Sequence, residues 1–206
     1  MKKIILIAIV LFLGYNSFYF KKLSSFKNQA NKNFDFKTYA DSLYYKGILQ
    51  SKMPIELAQL LAQIQVNPTA AFNEHGNRLG IGNSAYFMVK TMGKVVEIRE
   101  GKIQILTYQN QKITIETQFI FGNAIRDASK LVKLTDFKTT AEFNQLSESL
   151  NEIIKEKMIP KVTQNIKIGD TISVLGALKL SKKTALPIEI IPANMNILTD
   201  SLKIKL

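Results

Sequence analysis

The apolar positions of this chain follow three rhythms, and each rhythm marks off a stretch. From Ile4 to Phe20 they are nearly continuous, interrupted only by Asn16 and Ser17 among strongly polar residues. From Asp35 to His75 they recur at helical spacing. Phe36, Tyr39, Leu43 and Gly47 form one stripe over residues 35–50, and Ile55, Leu57, Leu60, Leu61 and Ile64 form a second. Pro54 opens the second helix and Asn67-Pro68 ends it. A short third helix is expected from Pro68 to His75, with Gly76 as a left-handed stop.

Beyond Gly76 the period falls to two. Tyr86 to Val89 leads into Gly93 to Ile98, Gly101 turns the chain into Lys102 to Tyr108, and Asn110-Gln111 turns it into Lys112 to Phe119. In that last strand Ile113, Ile115, Thr117 and Phe119 share one face. Lys112, Thr114, Glu116 and Gln118 share the other, as in a sheet buried on one side. Residues 137–158 return to helix, with Phe137, Ala141, Leu146, Leu150 and Ile153-Ile154 inward and Pro160 beyond the end. A turn at Gly169-Asp170 then leads to Thr171 to Gly176, and Pro187 to Leu198 supplies the final strand. Strand, strand, strand, helix, strand, strand is the chain order of a five-stranded Greek-key barrel of the OB type. The expected class is mainly β with helices (α+β). The chain divides into a membrane segment at 1–22, a polar tether at 23–34, a helical layer at 35–76 and a barrel at 77–206. Residues 35–206 are expected to form one compact unit.

Charge sharpens the reading of the N-terminus. Lys2-Lys3 precedes the apolar run and Lys21-Lys22 closes it. As a helix the run would span about 26 Å, enough for a thin bilayer. Its exit, Gly14 to Phe20, has no small-residue cleavage site, which favours an uncleaved signal-anchor over a cleaved signal peptide. The formal charge is +12, of which residues 2–52 contribute +7 and residues 53–206 only +5. The excess therefore lies beside the membrane segment. Lys21, Lys22, Lys27 and Lys32 outnumber Lys2 and Lys3, and that count taken alone places the body in the cytoplasm. The short N-terminal flank argues for the opposite orientation, with the body in the periplasm.

The candidate chemistry is sparse. With no cysteine and a single histidine, His75, disulfides, thiolate sites, a Cys nucleophile and clustered-histidine metal sites are all excluded. No nucleophile elbow, zinc-protease helix or phosphate-binding loop occurs, and Gly80-Ile81-Gly82 lacks the strand-then-helix context of a dinucleotide site. The outward face of the third strand carries no aromatic residue, so a stacking platform for single-stranded nucleic acid is missing. No cofactor, metal, catalytic residue or nucleic-acid partner is expected. One constellation stands out: Gly122, Asn123, Arg126 and Asp127, where the third strand leaves the sheet. Adjacency of Arg126 and Asp127 suggests that their side chains diverge, one capping the next turn and one closing the barrel mouth. An architectural role is favoured there over a ligand contact, in which the arginine would clamp a carboxylate or a sugar hydroxyl.

Several phrases together resemble one family. They are Phe34 to Ala40 with Pro54, Ala71 to Gly76, Asn123-Ala124-Ile125-Arg126-Asp127, Thr135-Asp136-Phe137 and Leu150-Asn151. Gly169-Asp170, Gly176-Ala177 and Ile191-Pro192-Ala193 complete the series. Over residues 34–197 this order is similar to that of domain of unknown function family 2291. The resemblance implies a periplasmic lipoprotein with an OB-like barrel, of the kind often encoded beside sugar ABC transporters. It supports a body facing the periplasm from the inner membrane, with ABC transporter components as partners. Two departures matter: Asn123 stands where the family tends to have Thr, and the lipid-bearing cysteine is missing, which favours a peptide anchor. The resulting expectation is a non-enzymatic, membrane-anchored extracytoplasmic protein accessory to carbohydrate uptake. The alternatives are a periplasmic small-ligand-binding module or an envelope scaffold.

Overall fold

A computed structural model describes residues 34–78, 82–182 and 187–198. The expected membrane segment and all of the tether but Phe34 lie outside the described residues, as do Leu79 to Ile81. The chain from Phe36 onward folds as one unit. It begins with α1 (Phe36–Ser42), which passes directly into a π-helical turn, Leu43–Ile48. A two-residue strand, β1 (Ile55–Glu56), precedes α2 (Leu57–Val66) and α3 (Pro68–His75). Then come β2 (Ser84–Arg99), β3 (Lys102–Thr107) and β4 (Lys112–Glu116). The connection that follows holds α4 (Ala124–Ser129), a 3-10 turn at Leu134–Asp136 and α5 (Thr140–Ile153). A second π-helical turn, Ile154–Met158, leads into α6 (Ile159–Thr163), and β5 (Thr171–Ser181) and β6 (Glu189–Leu198) complete the fold.

Five of the six strands close on themselves in the order β2-β3-β4-β6-β5, with β5 returning to β2. The β4–β6 contact is parallel and the other four are antiparallel. Closure depends on the length of β2, whose first part pairs with β5 and whose last part pairs with β3. The two pairings overlap at Gly93, opposite both Thr107 and Ile172, and at Lys94, opposite both Leu106 and Thr171. A Cβ at Gly93 would stand 2.7 Å from the Leu106 carbonyl oxygen, so only glycine lets the strand bend between its two partners. Period-two alternation fills the barrel: Phe87, Val89, Ile103, Ile105, Ile113, Ile115, Ile172 and Ile190 are all buried. β1 adds a sixth strand, parallel to β2, with Ile55 opposite Val89.

The helical layer seats its second stripe as its spacing predicts, whereas in the first Phe36, Tyr39, Leu43 and Gly47 are only half-buried and Ala40, Tyr44 and Ile48 beside them fill the core. Ile55, Leu57, Leu60, Leu61 and Ile64 are buried, and Phe72 of α3 meets Phe87 of β2 edge to face at 5.0 Å. Several local expectations are corrected. Pro54 does not open a helix, because Ile55 and Glu56 are taken up as a strand beside β2. Gly76 is extended (φ −80°, ψ 150°) rather than left-handed, because the chain continues straight into a bridge between Asn77 and Tyr86. The long helix starts later than expected, where Thr139 accepts from the Glu142 amide and the Glu142 carboxylate accepts from the Lys138 amide. That start exposes Ala141 and buries Phe143 in its place. The helix also runs through Pro160. The widened turn at Ile154–Met158 precedes the proline, which then sits in the first turn of α6, where its missing N–H costs little.

Candidate functional site

The run from Phe119 to Asp127 is built outward from one carboxylate. β4 ends at Glu116, whose Oε1 accepts from the amides of Gln118 at 2.8 Å and Phe119 at 2.9 Å. These bonds turn the chain out of the sheet. Glu116, expected on the solvent face, is therefore buried, and Phe119, expected inward, is 58% exposed, with Phe121 at 66%. Gly122 follows with φ +75°, and its carbonyl accepts from Asn151 Nδ2 at 2.8 Å. The loop is thus fixed at both ends while it presents two phenyl rings to solvent.

Of the four expected site residues, Gly122 and Asn123 stand at the surface side, and Arg126 and Asp127 are buried at 3% and 2% exposure. The two charged side chains do not diverge. Arg126 Nε and Nη2 both reach Asp127 Oδ1 at 2.8 Å. Arg126 Nη1 donates to the Phe143 carbonyl at 2.9 Å, and the guanidinium lies 3.4 Å from the centroid of the Phe143 ring. Asn77 Nδ2 donates to the Asp127 carbonyl at 2.7 Å, and Ser129 Oγ donates to the Arg126 carbonyl. Asp127 Oδ2 is buried with no hydrogen-bond partner among the described residues. The arrangement pins α4 to α5 and to the segment before β2. Its charges are spent on each other, so a carboxylate ligand has no free guanidinium edge to meet. The Asn123 side chain makes no cap bond, although its carbonyl accepts from the Asp127 amide.

Elsewhere, His75 Nε2 stands 3.5 Å from Glu74 Oε1 at the end of α3 but has no hydrogen-bond partner among the described residues. Burial pushes the Lys130 ammonium below its usual range, and its Nζ donates to the Glu74 carbonyl. On the outer face of β3 and β4, Lys102 sits between Glu189 at 3.1 Å and Glu116 at 3.8 Å. That face otherwise holds Gln104, Leu106, Lys112 and Thr114, with no aromatic ring. Among the described residues, no cluster of three or more His, Asp or Glu is placed to hold a metal.

Three open clefts of comparable size lie among the described residues, one of them, of about 320 Å³, lined by Glu56, Lys90, Ser173, Asn194 and Asn196; the other two bear on function. The first, of about 440 Å³, lies under the exposed loop; Phe119, Phe121 and Ala124 form one wall, and Tyr86, Lys179 and Glu189 face them. The second, of about 380 Å³, lies between the first π-helical turn, the end of the long helix and β6. Sequence patterning did not single it out, although Asn194 and Asn196, set between apolar Ala193, Met195 and Ile197, were a legible sign of amides facing outward. At its base the Tyr44 hydroxyl donates to the Ala193 carbonyl at 2.8 Å. Burial first, and then the neighbouring Tyr45, push the Tyr44 phenol up to about 12. A phenol whose folded value lies above its unfolded value stabilises the fold below about pH 10, and that contribution is lost as pH rises toward 12. Tyr44→Phe should cost about 1 kcal/mol at neutral pH. In urea unfolding across pH, the gap between wild type and variant should narrow from about pH 10 upward.

A closed barrel ordered β2-β3-β4-β6-β5, with a parallel β4–β6 contact and the helical connection between β4 and β5, defines an OB-fold protein. A solved OB-fold protein from Thermotoga maritima agrees, with a TM-score of 0.70 at 26% identity over 81% of this chain and 100% of that one. The chain belongs to the family described as predicted periplasmic lipoprotein (DUF2291), which matches residues 8–196. No functionally curated protein matches the sequence significantly. Membership sets the protein among extracytoplasmic, membrane-associated proteins. Among the described residues no helix is long and apolar enough to cross a membrane.

Proposed function

We propose that the protein is a non-enzymatic accessory module of an extracytoplasmic solute-uptake assembly, tethered to the inner membrane by the run Ile4 to Phe20. The observation that carries this reading is the loop after β4. Two phenyl rings, 58% and 66% exposed, are held in solvent by the Glu116 and Asn151 hydrogen bonds. Exposing large apolar groups from a loop fixed at both ends is a feature of contact surfaces, where a few rigid aromatics supply most of the binding energy. The charged groups of the loop region are already engaged: Arg126 with Asp127 and Glu116 with backbone amides. The proposed partner is the extracytoplasmic part of an ABC-type carbohydrate transporter, in keeping with the family resemblance. With no cysteine to carry a lipid, attachment falls to the apolar run.

The test is the double variant Phe119→Ser/Phe121→Ser. Its unfolding free energy should stay within about 0.5 kcal/mol of wild type, because neither ring is part of the core. Its co-purification with the transporter subunit from native membranes should be lost. Unchanged co-purification overturns the docking role, and a large loss of stability shows that the rings serve the fold instead.

A further inference from the structure

The second cleft is a site of a different kind, and it goes beyond the partner-docking role. Two π-helical turns occur among the described residues, and both wall this cleft: Leu43–Ile48 supplies Tyr45, and Ile154–Met158 supplies Lys157. Such turns are rare, cost hydrogen-bond geometry, and concentrate at functional sites. Here each one contributes a lining side chain opposite Asn194 and Asn196 of β6. Met158, Val162 and Met195 give the cleft a buried apolar floor.

Its rim is polar and cationic. Asn194 and Asn196 project from the same face of β6, and neither side-chain amide has a hydrogen-bond partner among the described residues. Lys161 comes from α6 and has no acidic partner there either. Lys157 is held by Asp41 at 3.2 Å, with its ammonium 5.9 Å from the Tyr45 ring centroid. No carboxylate lines the cleft.

We infer that this cleft binds a small polyhydroxylated organic anion. Each free amide offers a donor pair and an acceptor, which suits adjacent hydroxyls that both give and receive a hydrogen bond. The Tyr45 face suits the apolar C–H side of a ring. The unpaired Lys161 ammonium, seconded by Lys157, meets the negative group. A volume of about 380 Å³ fits one ring bearing such groups. Carboxylate and phosphate would both satisfy the lysines, so the shared chemistry is a hydroxylated ring carrying one anionic substituent.

The test is isothermal titration of the full chain in mild detergent with glucuronate, glucose 6-phosphate, glucose and acetate. Glucuronate or glucose 6-phosphate should bind at least about tenfold more tightly than glucose or acetate, and whichever does so identifies the anionic group. Lys161→Met and Asn196→Ala, both at exposed positions, should each weaken that binding about tenfold without changing the melting temperature of the free protein. The inference is overturned if neither anion binds at about 10 mM, if glucose or acetate binds as tightly, or if the substitutions leave binding intact. None of these outcomes affects the Phe119–Phe121 surface, whose test is partner recovery.

Discussion

Replacing Arg126 by alanine should destabilise the protein by ~3–5 kcal/mol, seen as a lower urea midpoint at unchanged slope. Among the described residues the Arg126 guanidinium is the only hydrogen-bond donor to the Asp127 side chain, and the carboxylate is 2% exposed. Without Arg126 both of its oxygens are left buried and unpaired, and the Phe143 carbonyl loses a charged donor as well. Against a total stability of about 5–15 kcal/mol this is a large loss. The effect should come mainly from the stranded charge. The double replacement Arg126→Met/Asp127→Leu, which removes both charges and keeps the volume, should therefore recover much of it. That variant also separates the two roles weighed for the pair. If it folds and still recovers its partner, Arg126 and Asp127 are architectural. If it folds and loses the partner, they belong to a functional site.

Phe72→Ala should cost a further large amount, ~3–5 kcal/mol, by opening a cavity where α3 meets the barrel. Both rings of the Phe72–Phe87 pair are fully buried, and they contribute an edge-to-face contact beyond their area. The layer 36–75 and the barrel belong to one folding unit. The loss should therefore appear as a single shifted transition, by far-UV circular dichroism and by tyrosine fluorescence alike. Two separated transitions would mean that the helices are held on the barrel only weakly.

The architecture was legible because the barrel obeys simple periodicities. Ile113 and Ile115 alternate with Lys112 and Thr114, and the order of strands and helix around Gly122 leaves few topologies besides the OB barrel. The site was less legible, for physical reasons that differ from residue to residue. Neighbours on a helix do not face each other, so Arg126 and Asp127 were expected to part. The arginine side chain is long enough to fold back, and burial makes that pairing decisive. The alternation of β4 was extended through Phe119, but Glu116 bonds the next amides and stops the strand. Hydrophobic rank alone places Phe119 and Phe121 inside, and only that capping bond puts them outside. The second cleft depends on two π-helical turns, which leave no periodic mark in a sequence whose apolar stripe runs on through them. Pro160 marks an end by periodicity alone, because nothing in the sequence signals the widened turn that precedes it.

The proposed docking of the Phe119–Phe121 loop on an uptake system outside the cytoplasm can be read most directly by photo-crosslinking from position 121 in intact native cells. An adduct with an extracytoplasmic segment of a membrane transporter subunit is expected, and it should be lost when Phe119→Ser is combined with the probe. An adduct confined to cytoplasmic proteins, or no adduct at all at native expression, would contradict it.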